Sequence, residues 1–93
     1  MTLRKTEQNT MAYVRAISYA RYEAYLLHRE LERETDEVSQ ILLRIKRNEM
    51  LAAAKELDAQ FKARLEELRA RGKRWAQLAD QLQREYHRWN ATN

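Results

Sequence analysis

Six basic side chains, Lys62, Arg64, Arg69, Arg71, Lys73 and Arg74, crowd into thirteen residues, with only Glu66 and Glu67 among them to offset the charge. Residues 1–61 balance ten basic groups against ten acidic ones, and residues 75–93 balance two against two. The short segment 62–74 therefore supplies the whole formal net charge of +4. Guanidinium and ammonium groups gathered in this way suit phosphate oxygens. The densest stretch, Arg69-Ala70-Arg71-Gly72-Lys73-Arg74, surrounds the only glycine of the chain. A turn there would let the backbone N–H groups of Lys73 and Arg74 open a new helix and face the same anion. The competing interpretation is a solvated helix face. A smaller basic group, Arg44, Lys46 and Arg47, stands apart from it.

Chemistry of other kinds finds few residues to carry it. There is no cysteine, serine occurs only at Ser18 and Ser39, and no glycine-rich phosphate loop is present, so no activated nucleophile is expected and the chain reads as a non-enzyme without cofactors. His28 and His87 are taken as isolated, solvated imidazoles rather than metal ligands. Glu30, Glu34 and Glu37 fall on one helical side, but beside Arg33 and without a Glu-x-x-His motif they read as an ion-paired surface. Tyr13, Tyr19, Tyr22 and Tyr25 crowd one segment with Arg15, Arg21 and Arg29 interleaved. Aromatic and arginine side chains so placed serve either a protein interface or base stacking. The interface is the expected use, with Tyr13, Ile17, Tyr22, Tyr25, Leu27 and Leu31 as its residues.

The elements that must hold these groups are helical. Zero prolines and one glycine in 93 residues leave almost no residues for special turn geometry. Residues 1–10 carry no apolar periodicity and read as a flexible tail, with Asn9 or Thr10 capping a helix that begins near Met11. Residues 11–93 form a single helical domain. From Ile17 an apolar stripe runs through Ala20, Ala24, Leu27, Leu31, Val38, Ile41 and Ile45 in steps of three and four, interrupted at Glu34. A break over 32–37 is expected, capped by Thr35 or Asp36 with Asp36 and Glu37 at the positive helix end; one unbroken helix to about Arg47 is the alternative. A second stripe follows Phe61, Leu65, Leu68, Gly72, Trp75, Ala79, Leu82, Tyr86 and Trp89. Gly72 predicts a sharp turn, and Asn48 within Arg47-Asn48-Glu49 predicts the chain reversal. The expected architecture is all-α, an antiparallel helical hairpin whose second arm bends at Gly72. A chain this small buries too little surface to be secure alone, so two copies should pair into a dimeric bundle. No apolar run reaches membrane-span length, the polar start lacks a signal-peptide core, and a cytoplasmic protein is expected.

The segment Phe61–Leu82, with Leu68, an arginine-rich stretch, Gly72, two basic residues, Trp75, then Leu78-Ala79 and Leu82, resembles the front half of a helix-turn-helix in small DNA-binding proteins of plasmids, phages and mobile elements. The resemblance covers 22 of 93 residues. It implies that Leu68, Trp75, Leu78, Ala79 and Leu82 are core, with Ala79 small enough for two helices to cross closely. The sequence departs from that family after Leu82, where Gln83–Trp89 continue the helical stripe in place of a turn and recognition helix. Charge and resemblance together predict a small dimeric DNA-binding accessory or regulatory protein that contacts phosphates through residues 62–74. The alternative is a helical protein-interaction module, a chaperone, adaptor or inhibitor, that binds another protein through its Tyr-rich first helix.

Overall fold

The computed structural model describes residues 2–92, which form three helices and no strand. Helix α1 spans Leu3–Arg33, α2 spans Glu37–Ala70 and α3 spans Lys73–Thr92. None is long and apolar enough to cross a membrane.

Helix α1 begins well before the expected Met11. Thr2 caps it, the Lys5 N–H donating to Thr2 Oγ1 at 3.2 Å. Residues 3–10 are therefore helical, whereas a loose tail was expected; Met1 lies outside the described residues. The physical reason lies in Thr6 and Thr10, which are fully buried and occupy positions where apolar residues would complete a stripe from Leu3 to Val14. The Thr10 hydroxyl tolerates burial because it donates to the Thr6 carbonyl at 2.7 Å.

The chain reverses over Glu34–Asp36. One Glu34 carboxylate oxygen accepts from the N–H groups of Thr35 and Asp36 at 3.2 and 3.0 Å, and Gln40 Nε2 donates to the Glu34 carbonyl at 2.7 Å. Asp36 then caps α2, its carboxylate accepting from the Ser39 N–H at 2.9 Å. That bond holds the Asp36 carboxyl below its usual range. The predicted break and cap are thus present, but the reversal predicted at Arg47-Asn48-Glu49 is not. Those three residues lie inside the continuous α2, since asparagine costs a helix interior little and no glycine or proline stands near.

Paired positions show how the helices run. His28 meets Arg47, and Asn9 shares a groove with Glu67, so α1 and α2 are antiparallel along their length. Gly72, at φ +128°, makes the second reversal in a conformation that strains any other residue. Helix α3 folds back so that Tyr86 reaches Asp58 and Arg69 reaches Asp80. At 1.5 Å per residue α3 spans about 30 Å, against about 50 Å for α2, so it covers only part of the pair. The molecule measures 55 × 21 × 16 Å.

The core occupies the end that α3 covers. Val14 and Ile17 from α1, Phe61, Leu65 and Leu68 from α2, and Leu78, Ala79, Leu82 and Tyr86 from α3 form one buried cluster, with Leu3, Met11, Tyr13, Leu57 and Trp75 packed on it. Phe61 and Tyr86 meet edge to face at 4.9 Å between ring centres. No residue from 25 to 53 is buried. There α1 and α2 meet only each other, through half-buried Leu27, Leu31, Leu43 and Met50. The predicted stripe splits at the break: Ile17, Ala20 and Ala24 point inward, whereas Val38, Ile41 and Ile45 are exposed. Three non-helical residues reset the helical phase, so spacing counted across them no longer marks one face.

Candidate functional site

The six basic residues of 62–74 do not form one surface. Lys62 and Arg69, seven residues apart, lie on the α3 side of α2. Lys62 Nζ pairs with Asp58 at 2.9 Å, which raises the pKa of the ammonium. Arg69 straps two helices together, bonding Glu66 at 2.9 Å within α2 and Asp80 and Gln83 on α3 at 3.3 and 2.6 Å. Arg64, on the other flank, bonds Glu67 at 3.0 Å. These three cations are engaged by neighbouring acceptors. The remaining three surround the turn: the Arg71 guanidinium lies 5.3 Å from the Trp75 ring centre, while Lys73 and Arg74 are exposed and form no ion pair among the described residues.

Two cations from outside residues 62–74 join this group. The antiparallel register brings the first turn of α1 to the same end of the molecule as the α2–α3 turn, so exposed Arg4 and Lys5 accompany Arg71, Lys73 and Arg74. Their signal was the helical spacing of Leu3, Thr6, Thr10 and Val14, hidden by the polar threonines. This end also holds the N-termini of α1 and α3, and neither first turn contains an acidic residue. Helix N-termini are electropositive and ordinarily favour Asp or Glu, as α2 does with Asp36 and Glu37. Here lysine and arginine stand in those places. The arrangement concentrates positive potential and leaves orphan backbone N–H groups beside it, which is the equipment of an anion site.

The Tyr-rich candidates separate in the same way. Ile17 is fully buried in the intrachain core and offers nothing to a partner, which corrects its assignment to an interface. Tyr13, Leu27 and Leu31 are half-buried within the fold. Tyr22 and Tyr25 are exposed and 6.4 Å apart, with Arg29 lying 5.9 Å from the Tyr25 ring; exposed Tyr19 and Leu26 continue that edge. His28, expected to be solvated and without a carboxylate at helical spacing, instead has Glu32 one turn away: Nε2 lies 3.1 Å from it and Nδ1 lies 3.1 Å from Arg47. The tautomer with hydrogen on Nε2 satisfies both contacts, donating to Glu32 and accepting from Arg47.

A polar junction closes the covered end. Arg21 of α1 donates to the Tyr86 hydroxyl at 3.1 Å and to Asn90, and Tyr86 donates to Asp58. Partial burial pushes the Asp58 carboxyl up, but the bonds from Tyr86 and Lys62 and the charges of Lys62 and Arg21 outweigh it, leaving the group below its ordinary range. Every polar group here has a partner in the fold, so the junction reads as structural. A groove of about 700 Å³ runs between α1 and α2, lined by Ala12, Ala16 and Ala63 with Asn9, Gln60 and Glu67 at its polar edge. It assembles no nucleophile with a base, and no group of three potential metal ligands occurs among the described residues. No family model matches the chain, nor does any curated protein or solved structure.

Proposed function

We propose that this protein is a small non-catalytic DNA-binding accessory factor, acting in the cytoplasm as a pair of copies, that grips duplex phosphates with its cationic end. The observation that carries the reading is the exposure of Arg4, Lys5, Arg71, Lys73 and Arg74 beside two helix N-termini that lack acidic residues. Such a pole repels itself, and a polyanion relieves that repulsion while releasing its own counterions. The α2–Gly72–α3 segment carries the residues on which the sequence resembles the front half of a helix-turn-helix unit. Helix α3 runs on to Thr92, so no separate recognition helix follows within the described residues, and phosphate contacts position the protein without reading bases.

Titration of a labelled duplex at several ionic strengths tests this. Binding should weaken steeply with salt, with a log–log slope of about −0.9 per neutralised phosphate. Arg71→Ala/Lys73→Ala/Arg74→Ala should flatten that slope, whereas Lys62→Ala/Arg64→Ala should change it little, because those cations are already engaged. Absence of binding at low salt, or an unchanged slope in the triple variant, removes the reading.

A second reading, a helical module that docks another protein, is supported by the exposed edge of Tyr19, Tyr22 and Leu26. A protein partner should raise the melting temperature in step with its concentration, and Tyr22→Ala should abolish that rise without touching the duplex titration.

A further inference from the structure

Helix α2 is two-faced beyond the reach of α3. Leu43, Arg47, Met50 and Ala54 turn toward α1, as the Arg47 bond to His28 and the burial of Ala54 show. Val38, Ile41, Ile45 and Ala52 lie on the opposite side, since residues 43 and 45 stand about 200° apart around a helix of 3.6 residues per turn. Val38, Ile41 and Ile45 are 65%, 48% and 49% exposed, and Leu42 and Leu51 flank them at 56% and 48%. A contiguous apolar strip of this kind marks an interaction surface.

Its spacing is that of a coiled-coil seam. Val38, Ile45 and Ala52 fall seven residues apart, with Ile41 and Asn48 between them in the alternating steps of three and four. In a parallel in-register pair each core position faces its own copy, so Asn48 meets Asn48, whereas an antiparallel pair would set it against an apolar residue. Arg44 and Glu49 border opposite sides of the seam. Both are exposed, and neither enters an ion pair among the described residues. In a parallel two-fold pair each Arg44 stands beside Glu49 of the other copy, so both charges find a partner twice over.

We infer that the outward face of α2 from Val38 to Ala52 is a self-docking seam on which a second copy of this chain packs in parallel. The inference rests on the pairing included in the proposed function and names its surface. It differs from the sequence-based interface, which lay on the Tyr-rich helix. Parallel pairing sends both cationic ends in the same direction, toward one polyanion.

Solution mass, measured without nucleic acid over a wide range of concentration, is the test. The wild-type mass should rise toward twice the 11.2 kDa of one chain. Ile41→Glu/Ile45→Glu should hold it at one chain while circular dichroism stays helical, because both side chains are exposed. Arg44→Glu and Glu49→Arg should each raise the dimer dissociation constant by about tenfold, and combining the two reversals should restore it. A wild-type chain that is monomeric throughout overturns the pairing itself and leaves this face to another protein. A dimer that ignores the two glutamates overturns only the seam, and single reversals that the double variant fails to rescue overturn the parallel register.

Discussion

The two ends of this molecule are built from the same α1–α2 pair, yet they differ in what a third helix does for them. Where α3 lies across the pair, nine side chains form a closed core and a polar junction ties all three helices together. Beyond α3 no side chain between 25 and 53 is buried, and α2 carries apolar residues on both of its faces. A two-helix layer has too little interior to bury them, so the surplus is presented outward. The covered end spends its apolar residues on folding, while the open end keeps its own for association.

Substitutions in the two regions should separate that contrast most strongly. Phe61→Ala removes a fully buried ring and should cost about 3–5 kcal/mol in chemical denaturation. Ile45→Ala should change the stability of a single chain by no more than about 0.5 kcal/mol. Comparable losses at the two sites would break the comparison.

Next in size is the junction. Tyr86→Phe deletes the hydroxyl that links Arg21 to Asp58 and should cost about 1–3 kcal/mol by thermal melting. The depressed Asp58 pKa adds a pH signature. Its contribution is complete above the unfolded carboxylate value of about 3.9 and disappears as pH falls through the lower folded value. Acid titration of the melting temperature should therefore drop more gently in Tyr86→Phe than in the wild type below about pH 4.

Gly72→Ala follows. Nothing lies within 4 Å of the added Cβ, so any loss must come from φ at +128° rather than from a clash. A decrease of about 1 kcal/mol is expected, and no loss would mean that the turn relaxes. Asp36→Ala should have the smallest global effect, because it loosens only the thin end. Amide exchange should accelerate over the first turns of α2 and remain unchanged around Phe61. Like Asp58, Asp36 has a lowered pKa, so its cap holds above about pH 4 and weakens as pH falls through the folded value.

Much of the covered end was legible because its residues follow the simplest rule. Phe61, Leu65, Leu68, Leu78, Ala79 and Leu82 repeat at helical spacing, the only glycine marks the turn, and Asp36 stands where a cap belongs. The rest was hidden for particular reasons. Thr6 and Thr10 are polar by type and buried in fact, so apolar spacing does not reveal the first turns of α1, nor with them the place of Arg4 and Lys5. Asn48 looked like a turn residue, but the stronger acceptors of Glu34 and Asp36 decided where the chain reverses. The ion pairs of Lys62 and Arg64, and the His28–Glu32 contact, were readable from spacing within one helix. The Arg69–Asp80 bridge depends on how α3 returns, which local spacing does not encode.

The slender outline of 55 by 21 by 16 Å also insulates one extremity from the other. Glu49 and Lys73 lie 24 positions apart, about 35 Å at helical rise, while charge is screened over about 8 Å in physiological salt. Rewriting the charges along the seam therefore leaves the potential at the cationic pole of the same chain almost unchanged, so assembly acts on the grip only through the number of poles it brings to one polyanion.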